Sequence, residues 1–188
     1  MGQKFRRAHL RAPLQTTILY EDDAHVLKAR TLNISEGGIL LENLPHIPEI
    51  NAMPLLVDLV QYPLLAKERV DHLLARSPSD YERKIFRIRA KMVRSFKVEN
   101  EVDQIFETRI GCQFVMPTKY ATELISDYVA RFAKNTVYLL SLFENHGNRP
   151  EQVHFLRHVA GLLGYQNGLP LPRLRQKVLH DYQSLEST

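Results

Sequence analysis

Apolar and cationic side chains alternate almost without exception between residues 84 and 96. A period of two is typical of a β-strand with one buried face, so this segment predicts a strand whose other face is strongly basic. Weaker patterns of the same kind cover residues 53–60 and 106–115, and Pro117 follows the second of them. These segments predict three strands in the middle of the chain.

Residues 15–30 repeat this pattern on both sides of the acidic segment Glu21-Asp22-Asp23-Ala24. The pattern predicts a β-hairpin with a solvated turn, because three adjacent carboxylates of an extended chain do not converge on one metal ion. Residues 31–41 then place small polar side chains and the pair Gly37-Gly38 before an apolar run, which is typical of a strand, a tight turn and a second strand. About six strands are predicted in total, enough for a small antiparallel barrel.

A helical period replaces the strand pattern from Thr118 onward, and Thr118 is a candidate N-cap. The pattern predicts one helix to about residue 145, a second near 151–163 and a third that follows it. The apolar stripe of the third helix consists of Leu171, Leu174, Val178, Tyr182 and Leu185. A shorter helical pattern at 64–76 predicts a helix inserted between two strands.

The first of these C-terminal helices carries a wide apolar face. Its members are Leu124, Ile125, Tyr128, Val129, Phe132, Val137, Leu139, Leu140 and Phe143. Such a face either packs against the other two helices or forms a homodimer, and the pattern leaves both open. The predicted fold class is therefore mainly β with α: a six-stranded barrel domain at 1–116, followed by a helical extension at 117–188.

Composition adds limits rather than a function. The 188 residues are 44% hydrophobic and 24% charged, which is ordinary for a soluble globular chain. The single cysteine excludes an intrachain disulfide and is typical of a reducing compartment. No apolar segment follows the basic start, and no apolar run is long enough to span a bilayer, so a cytoplasmic protein without membrane insertion is expected. The net charge of +4 suits an anionic ligand without specifying one.

Two short motifs specify the ligand further. In the basic arm at residues 1–13, Arg7 and Arg11 stand at RxxxR spacing, and Asn33, Ser35 and Gly38 stand at NxSxxG spacing. The first motif alone is weak, since the same spacing recurs later in the chain. In this order, and with a strand between them, the two motifs resemble the signature of the PilZ domain, a bacterial receptor for cyclic di-GMP (c-di-GMP). The resemblance implies a six-stranded antiparallel barrel.

The resemblance also implies roles for these residues. Arg7 and Arg11 would contact guanine and phosphate, because a guanidinium group pairs bidentately with either. Asn33 would bind a guanine edge, and Ser35 and Gly38 would support the ligand. Together with Gly38, Gly37 would let backbone amides approach an anion.

The arm carries a further implication. Arg6 directly precedes the RxxxR motif, and in the resembled family an arginine at that place accompanies the binding of two intercalated ligand molecules per site. We also expect the ligand to order an otherwise mobile arm and so to change a surface that an unidentified protein partner reads.

Other functions have less support. His154 and His158 stand four apart on a predicted helix, but the motif of a zinc protease is missing and the pair is interpreted as solvent-facing. We therefore expect neither an enzyme nor a metal site. The arm together with Arg87, Arg89, Lys91 and Arg94 could form a basic stripe that binds nucleic acid, although a solvated strand face is the preferred interpretation. A PilZ-type adaptor that acts mainly by protein contact stays open, as does the process it would regulate.

Overall fold

The computed structural model describes residues 9–23, 25–45, 48, 52–99, 106–145, 149–166 and 168–186. Seven strands lie within them. They are β1 (Ala12–Pro13), β2 (Thr17–Asp22), β3 (His25–Ser35), β4 (Gly38–Glu42), β5 (Met53–Val60), β6 (Arg83–Glu99) and β7 (Phe106–Phe114).

All strand pairs are antiparallel, and the sheet closes on itself. The order is β1-β3-β2-β5-β6-β7-β4, and β4 also pairs with β3, so six strands form a closed barrel. This confirms the predicted fold class. The two-residue strand β1 belongs to the arm and pairs with the end of β3, Ala12 with Ile34 and Pro13 with Asn33. The last residues of the arm are therefore fixed to the barrel.

The β2–β3 hairpin was predicted, but its turn is shorter than the proposed segment 21–24. Strand pairing continues through Glu21 and Asp22. Arg87 on β6 donates to both carboxylate oxygens of Glu21 at 2.8 and 2.7 Å, and Asp22 is buried. The interpretation of the whole acidic segment as a solvated turn is therefore wrong. Among the described residues of this segment, Asp23 alone takes a turn conformation, with φ 52°, which aspartate tolerates better than most residues.

The described part of the chain also contains four α-helices. They are α1 (Val70–Ala75), α2 (Lys119–Asn145), α3 (Pro150–Leu162) and α4 (Leu171–Glu186). The Oγ1 of Thr118 accepts a hydrogen bond from the amide of Ala121 at 3.2 Å, so Thr118 caps α2 as predicted. Within the described part of the chain, no helix is both long and apolar enough to cross a membrane.

The predicted helix at 64–76 is divided into two short pieces. A 3₁₀ turn at Leu65–Lys67 is followed by extended backbone at Glu68 and then by α1. The start of the segment is bound to α2, where buried Asn135 accepts a hydrogen bond from the amide of Leu65 at 2.9 Å and donates one to the carbonyl of Pro63 at 2.8 Å. These two hydrogen bonds attach the inserted segment to α2.

The barrel and the helices share one hydrophobic core. At their junction Tyr62, Tyr81, Tyr128 and Phe132 form an aromatic cluster with ring centroids 5.5 to 6.2 Å apart. The apolar face of α2 is largely buried inside the molecule, so internal packing accounts for it. Val137 is an exception, because half of its surface is exposed.

The histidine pair on α3 differs from its interpretation as solvent-facing. His154 is exposed, but the Nε2 of His158 lies 2.8 Å from the carbonyl oxygen of Leu73. This hydrogen bond connects α3 to α1. Among the described residues, no group of three metal-ligating side chains comes together.

Candidate functional site

A concave surface of about 790 Å³ lies against strands β3, β4, β6 and β7. Five of the seven predicted site residues line it: Arg11, Asn33, Ser35, Gly37 and Gly38. The other two, Arg6 and Arg7, lie outside the described residues. The remaining lining residues are His9, Ile39, Leu40, Val93, Arg94, Gly111, Cys112 and Gln113. The volume is in the range of small-molecule sites.

The barrel register explains why these residues meet. Asn33 on β3 pairs with Leu40 on β4, Leu40 pairs with Gly111 on β7, and Gly111 pairs with Arg94 on β6. One cross-strand row therefore has a polar side chain at each end and an apolar floor between them. With adjacent strands about 4.8 Å apart, its two ends are roughly 14 Å apart.

A second row runs parallel to the first and contains the turn motif. Ser35 pairs with Gly38, and Gly38 pairs with Gln113. The hydroxyl of Ser35 donates to the carbonyl of Gly38 at 3.3 Å, which closes the turn between β3 and β4. Because the rows lie two residues apart on every strand, their side chains project from the same face of the sheet.

Gly38 is required by the barrel itself. A Cβ atom there would lie 2.2 Å from the carbonyl oxygen of Cys112. Glycine thus lets β4 and β7 approach, and neither Gly37 nor Gly38 has a positive φ. The sequence interpretation assigned this glycine to the close approach of a ligand.

The end of the arm is held from two sides. The buried hydroxyl of Thr31 donates to the carbonyl of Leu14 at 2.6 Å and accepts from the amide of Thr16 at 3.1 Å. From the opposite side, the hydroxyl of Tyr128 on α2 donates to the carbonyl of Pro13 at 2.6 Å. These bonds fix the segment that directly follows Arg11.

His9 belongs to the site, although sequence reasoning missed it. Its ring lies so close to Gly37 that a Cβ atom on the glycine would be 2.7 Å from Cδ2 of the ring. Its Nδ1 lies 3.6 Å from Oε2 of Glu36. Because Gly37 has no side chain, the His9 ring of the arm can pack directly against the turn.

The charge of the site favours an anion. Arg11 and Arg94 line it, whereas no carboxylate occurs among the described residues of the lining. At its floor, burial raises the pKa of the Cys112 thiol to about 11, so this side chain stays neutral at physiological pH. The site can form charge-assisted hydrogen bonds to phosphate and to the acceptor edges of bases.

Arg94 and Gln113 are the other site residues that sequence reasoning missed. Arg94 was grouped with the basic stripe of β6, but it lines the site, and Arg87 of the same stripe is paired with Glu21. The stripe is therefore not one uniform surface. The sequence contains a signal for the different position of Arg94, because the adjacent apolar residues Met92 and Val93 interrupt the alternation directly before it.

Comparison with family models adds the decisive observation. The model of the PilZ domain matches residues 5–131, more than half of the chain. The chain belongs to the PilZ domain family. The match covers residues 5–13 of the arm, the whole barrel and the first part of α2, so α3 and α4 lie outside the region that matches the PilZ domain. A comparison with the curated proteins finds no match.

Solved PilZ structures resemble the fold at low sequence identity. The Bacillus subtilis inhibitor of motility (MotI/DgrA) is 13% identical over 67% of this chain and 51% of its own, with a TM-score of 0.45. The PilZ domain of YcgR from Escherichia coli, described with c-di-GMP, is 15% identical over 65% of this chain and 87% of its own, with a TM-score of 0.41. The K. pneumonia MrkH–c-di-GMP complex is 12% identical over 74% of this chain and 54% of its own, with a TM-score of 0.41. The chain spans about half the length of the inhibitor of motility.

Proposed function

We propose that this protein is a receptor for c-di-GMP, and not an enzyme, and that it passes the signal to a protein partner. The observation that carries the proposal is the convergence of Arg11, Asn33, Ser35 and Gly38 on one concave surface. These residues come from the arm, from β3 and from β4. Membership of the PilZ family supports the choice of a guanine dinucleotide among anionic ligands.

Each part of the ligand has a suitable partner in this surface. The guanidinium of Arg11, together with Arg7, would pair with the O6 and N7 acceptors of a guanine or with a phosphate. Asn33 would accept from the donor edge of the guanine, and the hydroxyl of Ser35 would bond a phosphate oxygen. Leu40 lies between the polar side chains of the row, and a base could lie on it beside the Arg94 side chain, which covers Gly111.

The stoichiometry follows from Arg6. By resemblance, the arginine that precedes RxxxR goes with two intercalated c-di-GMP molecules per site. We propose that stoichiometry here, because an additional cation on the arm would offset the charge of the second ligand.

Signal transmission is proposed to run through β1. Arg11 is followed directly by Ala12–Pro13, and Pro13 accepts the hydrogen bond of Tyr128 on α2. When the arm closes over a ligand, the forces on this segment change the packing of α2 and α4. A ligand shifts such an equilibrium by its differential affinity for the two states. The exposed surface of the helices would then present the signal to the partner, or to a second copy of the chain.

Calorimetric titration tests the receptor proposal. The full chain is titrated with c-di-GMP and compared with variants Arg11→Ala and Asn33→Ala. Each variant is expected to bind roughly tenfold to hundredfold more weakly, because each loses a hydrogen-bonding group that faces a charged or polar ligand atom. Two ligands per chain are expected, and one per chain in Arg6→Ala.

Arg69→Ala is the matched control. Arg69 is exposed next to α1, is ion-paired with Asp71 at 3.0 Å and does not line the site. The affinity of the Arg69→Ala variant for c-di-GMP should equal that of the unchanged protein. Absence of c-di-GMP binding by the unchanged protein would overturn the proposal, and the adaptor function would take its place.

Nucleic-acid binding is the other candidate function, and a titration can distinguish it from c-di-GMP binding. Affinity for nucleic acid would fall steeply with salt and would not depend on Asn33 or Ser35.

A further inference from the structure

An irregularity in β6 determines where Arg94 points. Met92 pairs with Cys112 and Arg94 pairs with Gly111, so Val93 is an extra residue in the β6–β7 ladder. On the regular part of β6, Ile88 and Ala90 are buried in the barrel. Continued alternation would direct Arg94 into the core as well. The bulge turns it to the outer face, because it inserts one residue into the period of two.

Gly111 provides the space that the Arg94 side chain occupies. A Cβ atom on Gly111 would lie 3.1 Å from both Cγ and Nε of Arg94. The side chain of Arg94 therefore crosses directly over β7. A Cβ atom at this position of β7 would require the Arg94 side chain to move by a few tenths of an ångström, and a branched side chain would require more.

Asn33 and Arg94 stand at opposite ends of the row that crosses the floor. Asn33 begins it on β3, the small or apolar residues Leu40 and Gly111 follow, and Arg94 ends it on β6. Half-exposed Val93 extends the apolar floor beside Arg94. An apolar surface beside a guanidinium that lies over β7 suits a base better than a phosphate, because a guanidinium pairs with the base edge or stacks on the base.

We propose that Arg94 is a specificity-determining residue that recognises the second guanine of the dinucleotide by its O6 and N7 edge. The inference rests on the proposed function of the site. Asn33 and Arg11 would hold the first guanine, and Arg94 would bind the other. An adenine at that position would offer an amino donor to a guanidinium donor, so one guanine could not be replaced without loss.

A hybrid ligand tests this assignment. Cyclic GMP–AMP with two 3′–5′ linkages keeps both phosphates but replaces one guanine by adenine. The unchanged protein should prefer c-di-GMP over the hybrid by roughly tenfold to hundredfold, as expected for one bidentate base contact. In Arg94→Ala the affinity for c-di-GMP should fall by a similar factor, and the ratio between the two ligands should approach one. Arg94→Lys should lose most of the preference too, because an ammonium group lacks the planar fork.

Two further variants control for folding and charge. Arg89→Ala removes an equal charge from the exposed face of the same strand, outside the site lining, and should change neither affinity. Gly111→Val keeps Arg94 but blocks its path, and should reproduce the loss of preference. Each variant is first checked by thermal unfolding.

The outcomes separate this inference from the proposed function. If the unchanged protein does not bind c-di-GMP, the proposed function fails. If it binds and Arg94→Ala weakens both ligands equally, Arg94 contacts phosphate or only supports the fold, and the specificity role is wrong. Unchanged affinities in Arg94→Ala would also contradict it.

Discussion

A Cβ atom at Gly38 would lie 2.2 Å from the carbonyl oxygen of Cys112, and this oxygen belongs to the backbone of β7. The contact cannot be relieved by moving a side chain. At Gly37 the nearest atoms belong instead to the ring of His9, which can move. Gly38 of the motif is therefore needed for strand pairing, whereas the preceding Gly37 contacts the arm through His9.

Gly38→Ala is expected to lower the free energy of unfolding by about 1–3 kcal/mol, the usual cost of overpacking. The reason is that β4 and β7 must separate locally. Urea unfolding measures the effect. Gly168→Ala is the matched control, since no atom lies within 4 Å of a Cβ at that position, and its change should stay within about 0.5 kcal/mol. Equal effects of the two substitutions would contradict the packing argument.

Helices and strands can be predicted from the sequence where the hydrophobic period of a single segment determines them. The alternation at 84–96 correctly predicts a strand, because a buried face requires it. The bulge at Val93 is different, since it depends on how β6 pairs with β7. The row from Asn33 to Arg94 likewise requires pairings between strands that are distant along the chain. The motif residues were therefore predictable as a group, but the position of Arg94 on the opposite side of the site was not.

The segment 64–76 shows the same limit. Helical spacing of Leu65 and Leu73 is a local signal, and both side chains are fully buried. Asn135 binds the amide of Leu65 from a helix seventy residues further along the chain, and no local pattern reveals this bond. The sequence therefore predicts the helical character of the segment but not its attachment to α2.

At the same scale, the hydrogen bond from Tyr128 to Pro13 is expected to couple the arm to α2. Hydrogen exchange of α2 and α4 should slow when c-di-GMP binds, and the slowing should be weaker in Tyr128→Phe at saturating ligand. The phenyl ring keeps its place in the aromatic cluster, but the carbonyl of Pro13 loses its donor. Tyr138→Phe, which alters a half-buried tyrosine on the same helix, serves as the control. Identical protection in all three proteins would contradict the coupling.

For the molecule as a whole, the barrel and the helical extension share their core, and several buried groups resist ionisation there. Burial raises the pKa of Tyr62 and of Tyr81 to about 12, and that of Cys112 to about 11. It also raises the pKa of Tyr128 well above 10.0. Since the unfolded chain releases these protons at lower pH, it binds fewer protons than the folded chain in alkali. The free energy of unfolding therefore falls as pH rises through this window.

We expect full stability up to about pH 9 and a progressive loss between about pH 9 and 12, with each tyrosine shifted by two pH units contributing on the order of 2–3 kcal/mol. Denaturant unfolding at pH 8 and pH 11 measures the difference. Tyr81→Phe should reduce it, because the buried hydroxyl of Tyr81 has no hydrogen-bond partner among the described residues and the phenyl ring preserves the packing. Tyr120→Phe alters an exposed ring and should leave it unchanged. Equal stability at both pH values would contradict the raised pKa values of the buried tyrosines.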